Sequence, residues 1–357
     1  MAVVSSKRWT IGFVITTLLL LIIGALPTIL VDPYFHFHKP IPQFSYVMDN
    51  QRYQNDGIAR FFDYDAIITG TSMTENFKTS EMDALFGTNA VKICFSGGSY
   101  KEIADNQRKA FAANPNIRYV IRGMDCNRIH EHKDQMDYES KLFPTYLYDR
   151  NPFNDVNYVL NKQVLFADTS RVLAYTNAGL PGTTFDDYSN WHEEYEYGKE
   201  SVMDSYNRSE EILPMGKVTD AEYKRMRDNV DQNYLELARE NPQTQFYYFF
   251  TPYSICWWDS ILRDGSLEWY VSLMKEASRI MVEYDNVHLF SFFGVTDLIC
   301  DLSNYMDIAH YSGDINSRIL QWMKQDEHRL TKENYEAHWD SVLEFYKSYD
   351  YDNLFSE

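Results

Sequence analysis

Cysteine is scarce in this chain: four in 357 residues, at Cys94, Cys126, Cys256 and Cys300, with no C-x-x-C pair. Such spacing excludes a disulfide scaffold, a zinc ribbon and a thioredoxin-like motif. It leaves either one or two disulfides or buried free thiols. Basic residues are also few, 33 against 52 acidic ones, for a formal net charge of -19. That excess of acid argues against a nucleic-acid partner and suits a protein kept soluble outside the cytoplasm by its own charge. No internal repeat and no low-complexity tract is visible. Aromatic residues, by contrast, are abundant, with 28 Tyr and 22 Phe. They read as an aromatic core, with glycan or protein contact as the other use. The length and a 45% hydrophobic fraction suit one large α/β domain or two small ones.

One long apolar run opens the chain. Lys7 and Arg8 precede Trp9, and residues 11–26 are apolar apart from two Thr and two Gly. Continuing past Pro27 to Val31 gives about twenty residues, enough to cross a bilayer as a helix. The basic pair lies before the run, so the positive-inside rule puts the N-terminus in the cytoplasm. No small-x-small cleavage site stands between Leu26 and Asp32. The expectation is an uncleaved single-pass anchor in the cell membrane over residues 1–32, with residues 33–357 as an extracytoplasmic domain. Asp32-Pro33-Tyr34-Phe35-His36-Phe37-His38-Lys39-Pro40 then reads as an interfacial aromatic belt. His36 and His38 are two metal-ligand types without a third.

Beyond Pro40, short apolar runs alternate with amphipathic stretches. Residues 66–69, 90–95, 119–122, 245–250 and 287–290 read as strands, and residues 101–113, 220–240, 267–284 and 314–326 as helices. Strands alternating with helices predict an α/β fold with a parallel sheet covered on both faces. In such a sheet the chemistry lies at the carboxyl ends of the strands, where Ser72, Gly97, Gly98 and Asp125 fall. The pattern breaks down over about 151–216, which reads as an insertion over the sheet.

Ser72 follows Gly70 and Thr71 directly after a buried strand. A glycine lets the backbone turn tightly and lift a serine to the sheet's edge near backbone N–H groups; a serine capping the next helix is the other use. Asp307 and His310 stand three residues apart in a late loop, so the acid can orient the imidazole while its second nitrogen faces a serine. Asp285 and His288 repeat that spacing but lead into a strand, and read as a turn residue and an early strand residue. His130-Glu131-His132 reads as an exposed loop rather than a metal site. Arg52, Asn55 and Asp56 could line a polymer-binding cleft or form a capped turn. Trp191, beside Asp186 and Asp187, could stack on a sugar ring or anchor a packed loop.

With these blocks in view, the chain resembles the SGNH (GDSL-like) hydrolase superfamily, in particular its membrane-anchored branch that modifies cell-envelope polymers. That branch includes the D-alanyl transfer protein of teichoic acid modification and the alginate O-acetylation proteins. The resemblance covers roughly residues 65–320. Gly70-Thr71-Ser72 answers to the nucleophile block, Ser96-Gly97-Gly98-Ser99 to the glycine block and Asp307-Ile308-Ala309-His310 to the final block. Residues 248–257, with Thr251-Pro252-Tyr253, resemble a segment of related anchored proteins with no assigned chemistry.

The resemblance implies a three-layer, flavodoxin-like sandwich with Ser72 as nucleophile, His310 as general base and Asp307 as its orienting acid. The N–H groups of Ser72 and Gly98, or Gly97 if the block is shifted by one, would bind the oxyanion. It implies an O-acyltransferase or esterase acting on a cell-envelope polymer, with a membrane-bound O-acyltransferase as partner and with no cofactor or metal. The family's third block is Gly-x-Asn, whose asparagine donates to the oxyanion, but this chain has Gly123-Met124-Asp125. An ionised aspartate only accepts hydrogen bonds; Asn127, two residues on, is a candidate for the missing donor or for substrate binding. The rival class is a binding or assembly protein that keeps the fold without the chemistry.

Overall fold

A computed structural model of the chain describes residues 6–136 and 143–355. The chain divides into two compact units, Met1–Phe62 with Glu139–Thr184, and Asp63–Tyr138 with Phe185–Glu357. The stretch expected as an insertion, 151–216, is therefore shared, changing unit at Thr184.

The first unit begins with the helix Ser6–Val31, long and apolar enough to cross a membrane, as a signal sequence would also be. The first five residues lie outside those described. Only Ala25, Thr28 and Val31 of this helix are buried. The chain then turns sharply around Asp32, whose carboxylate accepts from the N–H groups of His36, Phe37 and His38 and from the Tyr158 hydroxyl. Tyr34, Phe35 and His36 are buried within the unit, so these three are core rather than part of the interfacial belt the sequence suggests, while Lys39 is exposed. The cause is the four-way grip of Asp32, which folds the aromatics inward. His36 Nε2 bonds Asp155 and His38 bonds two carbonyls, so both imidazoles have partners other than a metal. Arg52 and Asn55 lie on the helix Gln51–Phe61, not in a capped turn. Gly57 of that helix is obligatory: a Cβ there would come within 2.4 Å of the Phe35 carbonyl oxygen.

The second unit holds a six-stranded sheet flanked by helices: β1 (Ala66–Gly70), β2 (Ala90–Cys94), β3 (Tyr119–Met124), β4 (Gln245–Phe250), β5 (Val287–Ser291) and β6 (Arg329–Leu330). The order is β2-β1-β3-β4-β5-β6, all parallel except the short antiparallel β6. The buried strands read as near-continuous apolar runs because both faces are covered. Two cations break the run. Lys92 donates from β2 to the carbonyls of Glu75, Phe77 and Asp186, and burial pulls its pKa down to about 8. Arg122 on β3 bonds Gln107 and two carbonyls and lies 3.8 Å above the Tyr234 ring. Each buried charge thus has the partners that make its burial tolerable.

The strand order reverses at β1, which has β2 on one side and β3 on the other. Open parallel sheets leave a crevice at the carboxyl ends of such strands. Ser72 follows β1 and Asp125 follows β3 there. All four cysteines are free, three of them buried, so no disulfide forms among the described residues.

Candidate active site

Gly70 ends β1 at φ 145°, and a Cβ there would meet the Thr74 side chain at 2.7 Å. Only glycine turns the chain so abruptly. A short 3-10 turn, Ser72–Thr74, follows, capped by Thr71, whose hydroxyl accepts from the Met73 N–H. Serine therefore leaves the strand on a fixed turn rather than at the head of a long helix.

The late loop closes onto that turn. A bridge between Tyr305 and Tyr311 and a bond from Met306 N–H to the His310 carbonyl double the chain back on itself. Both donors of Ser254, its N–H and hydroxyl, hold the Ile308 carbonyl. The Tyr311 hydroxyl and the Asn316 amide both donate to the Met73 carbonyl. The outcome is that Ser72 Oγ lies 2.8 Å from His310 Nε2, and His310 Nδ1 lies 2.7 Å from Asp307 Oδ2. The other Asp307 oxygen accepts from the Ala309 and His310 N–H groups, at 2.7 Å each.

These contacts set the charges. Burial lowers the His310 pKa, but the Asp307 hydrogen bond and charge outweigh it and hold it above the ordinary 6.5. Burial raises Asp307 in turn, yet its bonds to His310 and to the two N–H groups keep it below 3.8. The pair is arranged for an imidazole that takes a proton and a carboxylate that stays ionised.

Asp125 is buried, and hydroxyls surround it. Thr71 donates to Oδ2 at 2.6 Å, while Tyr253 and Thr251 donate to Oδ1 at 2.8 and 3.3 Å. It does not sit as a donor-deficient copy of an asparagine; its acceptors hold the residue before Ser72 and the turn after β4. Asn127 is exposed, with Oδ1 3.4 Å from the same Tyr253 hydroxyl. In the glycine block, the Gly98 N–H donates to the Phe95 carbonyl at 2.8 Å, which engages the donor the sequence reading assigned to an oxyanion. Gly97, exposed at φ 61°, is the other glycine of the block, and Arg128 holds its carbonyl at 2.9 Å.

Trp191 packs edge-on against His310 with ring centroids 5.7 Å apart, and its indole N–H donates to the Ser72 carbonyl at 3.3 Å. It belongs to the site. Asp186 instead binds Thr79 and Ser80 at the start of the helix Thr79–Phe86. Asn55 is buried in the first unit, where Arg52 also lies. Glu131 pairs with Arg128 at 2.9 Å. Among the described residues there is no group of three or more His, Cys, Asp or Glu arranged to hold a metal. The sequence reading missed Thr71, Tyr253 and Arg128. Their position at strand carboxyl ends was the available signal, since any polar side chain there faces the crevice.

No family model matches this chain, and no curated protein matches it. Among solved structures, one from Streptococcus pneumonia, described provisionally as a platelet activating factor, aligns over 77% of this chain and 90% of its own. Identity is 13% and the TM-score 0.40, a likeness too distant to bear on function.

Proposed function

We propose that this chain is a membrane-anchored serine acyltransferase or esterase of the SGNH type, facing away from the cytoplasm and acting on a cell-envelope polysaccharide or teichoic acid-like polymer. The carrying observation is the unbroken hydrogen-bond chain from Asp307 through His310 to Ser72. The strand order β2-β1-β3-β4-β5 is the flavodoxin-like order, which supports the three-layer reading. The polymer, the outward orientation and a membrane-bound O-acyltransferase as partner rest on the sequence resemblance and on the basic residues before the apolar helix.

In this reading His310 Nε2 takes the Ser72 hydroxyl proton as Oγ attacks the acyl carbonyl carbon. The tetrahedral oxyanion is met by the N–H of Ser72 and, with Gly98 engaged, by that of Gly97. Collapse breaks the bond to the leaving oxygen, which receives the proton from His310. A polymer hydroxyl or water then attacks the Ser72 ester by the same route in reverse.

The test is active-site labelling. A fluorophosphonate should form a covalent adduct on Ser72 in the wild-type chain and none in Ser72→Ala, read by peptide mass. Ser72→Ala should also abolish acylation of the polymer while the protein remains folded in the membrane. The Gly98 N–H is held by the Phe95 carbonyl and the Asp125 carboxylate by three hydroxyls, so neither offers a free oxyanion donor, which favours the second reading, a non-catalytic binding or assembly protein. Polymer acylation at the wild-type level in Ser72→Ala would establish that second reading.

A further inference from the structure

Charge divides between the two units. Met1–Phe62 with Glu139–Thr184 carries nine basic and seven acidic residues, so the remaining chain carries 24 and 45. Two of the nine, Lys7 and Arg8, precede the apolar run of the helix; beyond that helix the unit has seven basic and seven acidic residues and is neutral in a strongly anionic protein.

That unit also exposes apolar side chains outside the helix itself. Phe153 is 89% exposed, Phe166 69%, and Val156, Leu173 and Leu180 are exposed as well. Scattered apolar residues need no explanation, but a cluster on neighbouring elements does. Val156 lies on the helix Val156–Val159, Phe166 on the π-turn Val164–Asp168 and Leu173 on the helix Thr169–Asn177. All three elements pack against the helix Ser6–Val31, whose only buried residues, Ala25, Thr28 and Val31, lie in its last two turns.

The length of that helix fixes the depth of the contact. Its 26 residues span about 39 Å at 1.5 Å each, against a hydrocarbon core of roughly 30 Å. The last two turns then fall at the boundary between acyl chains and headgroups. Leu26, Ile29 and Leu30 remain exposed there, so the helix still presents an apolar face where the three elements join it. Lys39, Arg150 and Lys162 of the same unit are also exposed, as suits a surface beside anionic headgroups.

We infer that the first unit is seated on the bilayer, with Phe153, Val156, Phe166 and Leu173 inserted at the headgroup–acyl boundary of an anionic phospholipid membrane. This rests on the anchor in the proposed function, and it adds a second attachment beside the helix. Apolar insertion combined with basic residues is the mode of interfacial binding. It holds the unit at a fixed depth instead of leaving it on a tether.

The test uses the full chain in vesicles of phosphatidylcholine and phosphatidylglycerol. Cys300→Ser removes the one thiol that is not buried, and an environment-sensitive fluorophore is attached through Phe166→Cys, Phe153→Cys, Leu20→Cys or Lys332→Cys. Labels at 166 and 153 should be quenched by lipids spin-labelled near the headgroup and protected from aqueous iodide. The label at 20 should be quenched by lipids labelled deep in the acyl chain, and that at 332 by iodide alone. Iodide quenching at 166 and 153 equal to that at 332, with 20 still in lipid, overturns the seating and spares the anchor. Loss of lipid quenching at 20 overturns the anchor and the seating together. Protection at 166 and 153 from both quenchers would mean a protein occupant, and also overturns the lipid assignment.

Discussion

His310 and His288 each follow an aspartate by three residues, yet only His310 touches its acid. His288 lies at the start of β5, after a turn closed by the Val287 N–H on the Tyr284 carbonyl at 3.0 Å. Its ring stacks on Tyr247 with centroids 4.5 Å apart, and Nε2 bonds Gln245 at 2.8 Å. Asp285 stays exposed in the turn before it. Around His310 the chain doubles back, so the same spacing brings carboxylate and ring to 2.7 Å. A third histidine sharpens the contrast. His338 lies 2.8 Å from Ser291 Oγ, as His310 does from Ser72, but Ser291 is buried and, among the described residues, no carboxylate bonds the His338 ring. Burial pulls His338 and His288 down to about 4, so both stay neutral where His310 is poised to accept a proton. A serine–histidine contact becomes a candidate site only with an acid behind the ring and solvent in front of the hydroxyl.

The comparison is broken most directly by deleting the rings. His310→Ala should lower hydrolysis of p-nitrophenyl acetate by about 10^4–10^6-fold, because nucleophile and base act as a unit, while His288→Ala should stay within about twofold. Equal losses would show that both histidines act through stability alone.

The acids come next. Asp307→Asn should lower turnover by roughly 10^2–10^4-fold through the wrong tautomer and orientation, and Asp285→Asn should leave it unchanged.

Proton titration separates the three rings by sign. The acid limb of kcat/KM should fall above 6.5, since His310 must be neutral to act as base and its pKa is raised. In Asp307→Asn that limb should move down. His310's contribution to stability is complete below 6.5 and is lost as pH rises through its folded value. His288 and His338 have the opposite sign: their contribution is complete above 6.5 and is lost as pH falls toward about 4. Thermal melts of His288→Gln and His338→Gln should therefore flatten the acid side of the stability profile and leave the kcat/KM limb in place.

The smallest effect concerns Asp125. Asp125→Asn should cost about 1–3 kcal/mol in thermal unfolding, because an amide N–H₂ would face hydroxyl donors. It should bring no gain in ester hydrolysis. A gain would mean that the side chain reaches the oxyanion after all.

The five parallel strands were legible because buried strands read as near-continuous short apolar runs, in β1 ended by glycine at Ile67-Ile68-Thr69-Gly70. The Ser72 turn and the Asp307–His310 pair were legible from local chemistry and chain order. β6 was not, since two residues, Arg329 and Leu330, carry no pattern. The helix Gln51–Phe61 was hidden by its polar buried face, with Gln54, Asn55 and Asp56 inside. The environment of Asp125 was hidden for another reason. Thr71 and Tyr253 reach it from 54 and 128 residues away, and only the sheet order brings them together.

The Met73 carbonyl, which accepts from both Tyr311 and Asn316, also constrains when the site can exist. Tyr311 follows Met73 by 238 residues, so Ser72 has no base until most of the chain has been synthesised. At about 5–20 residues per second that delay is roughly 12–48 s. Until then the nascent chain carries the proposed nucleophile without its base. In the proposed reading, chemistry begins only once the helix Gly313–Gln325 docks, so an unfinished molecule is inert.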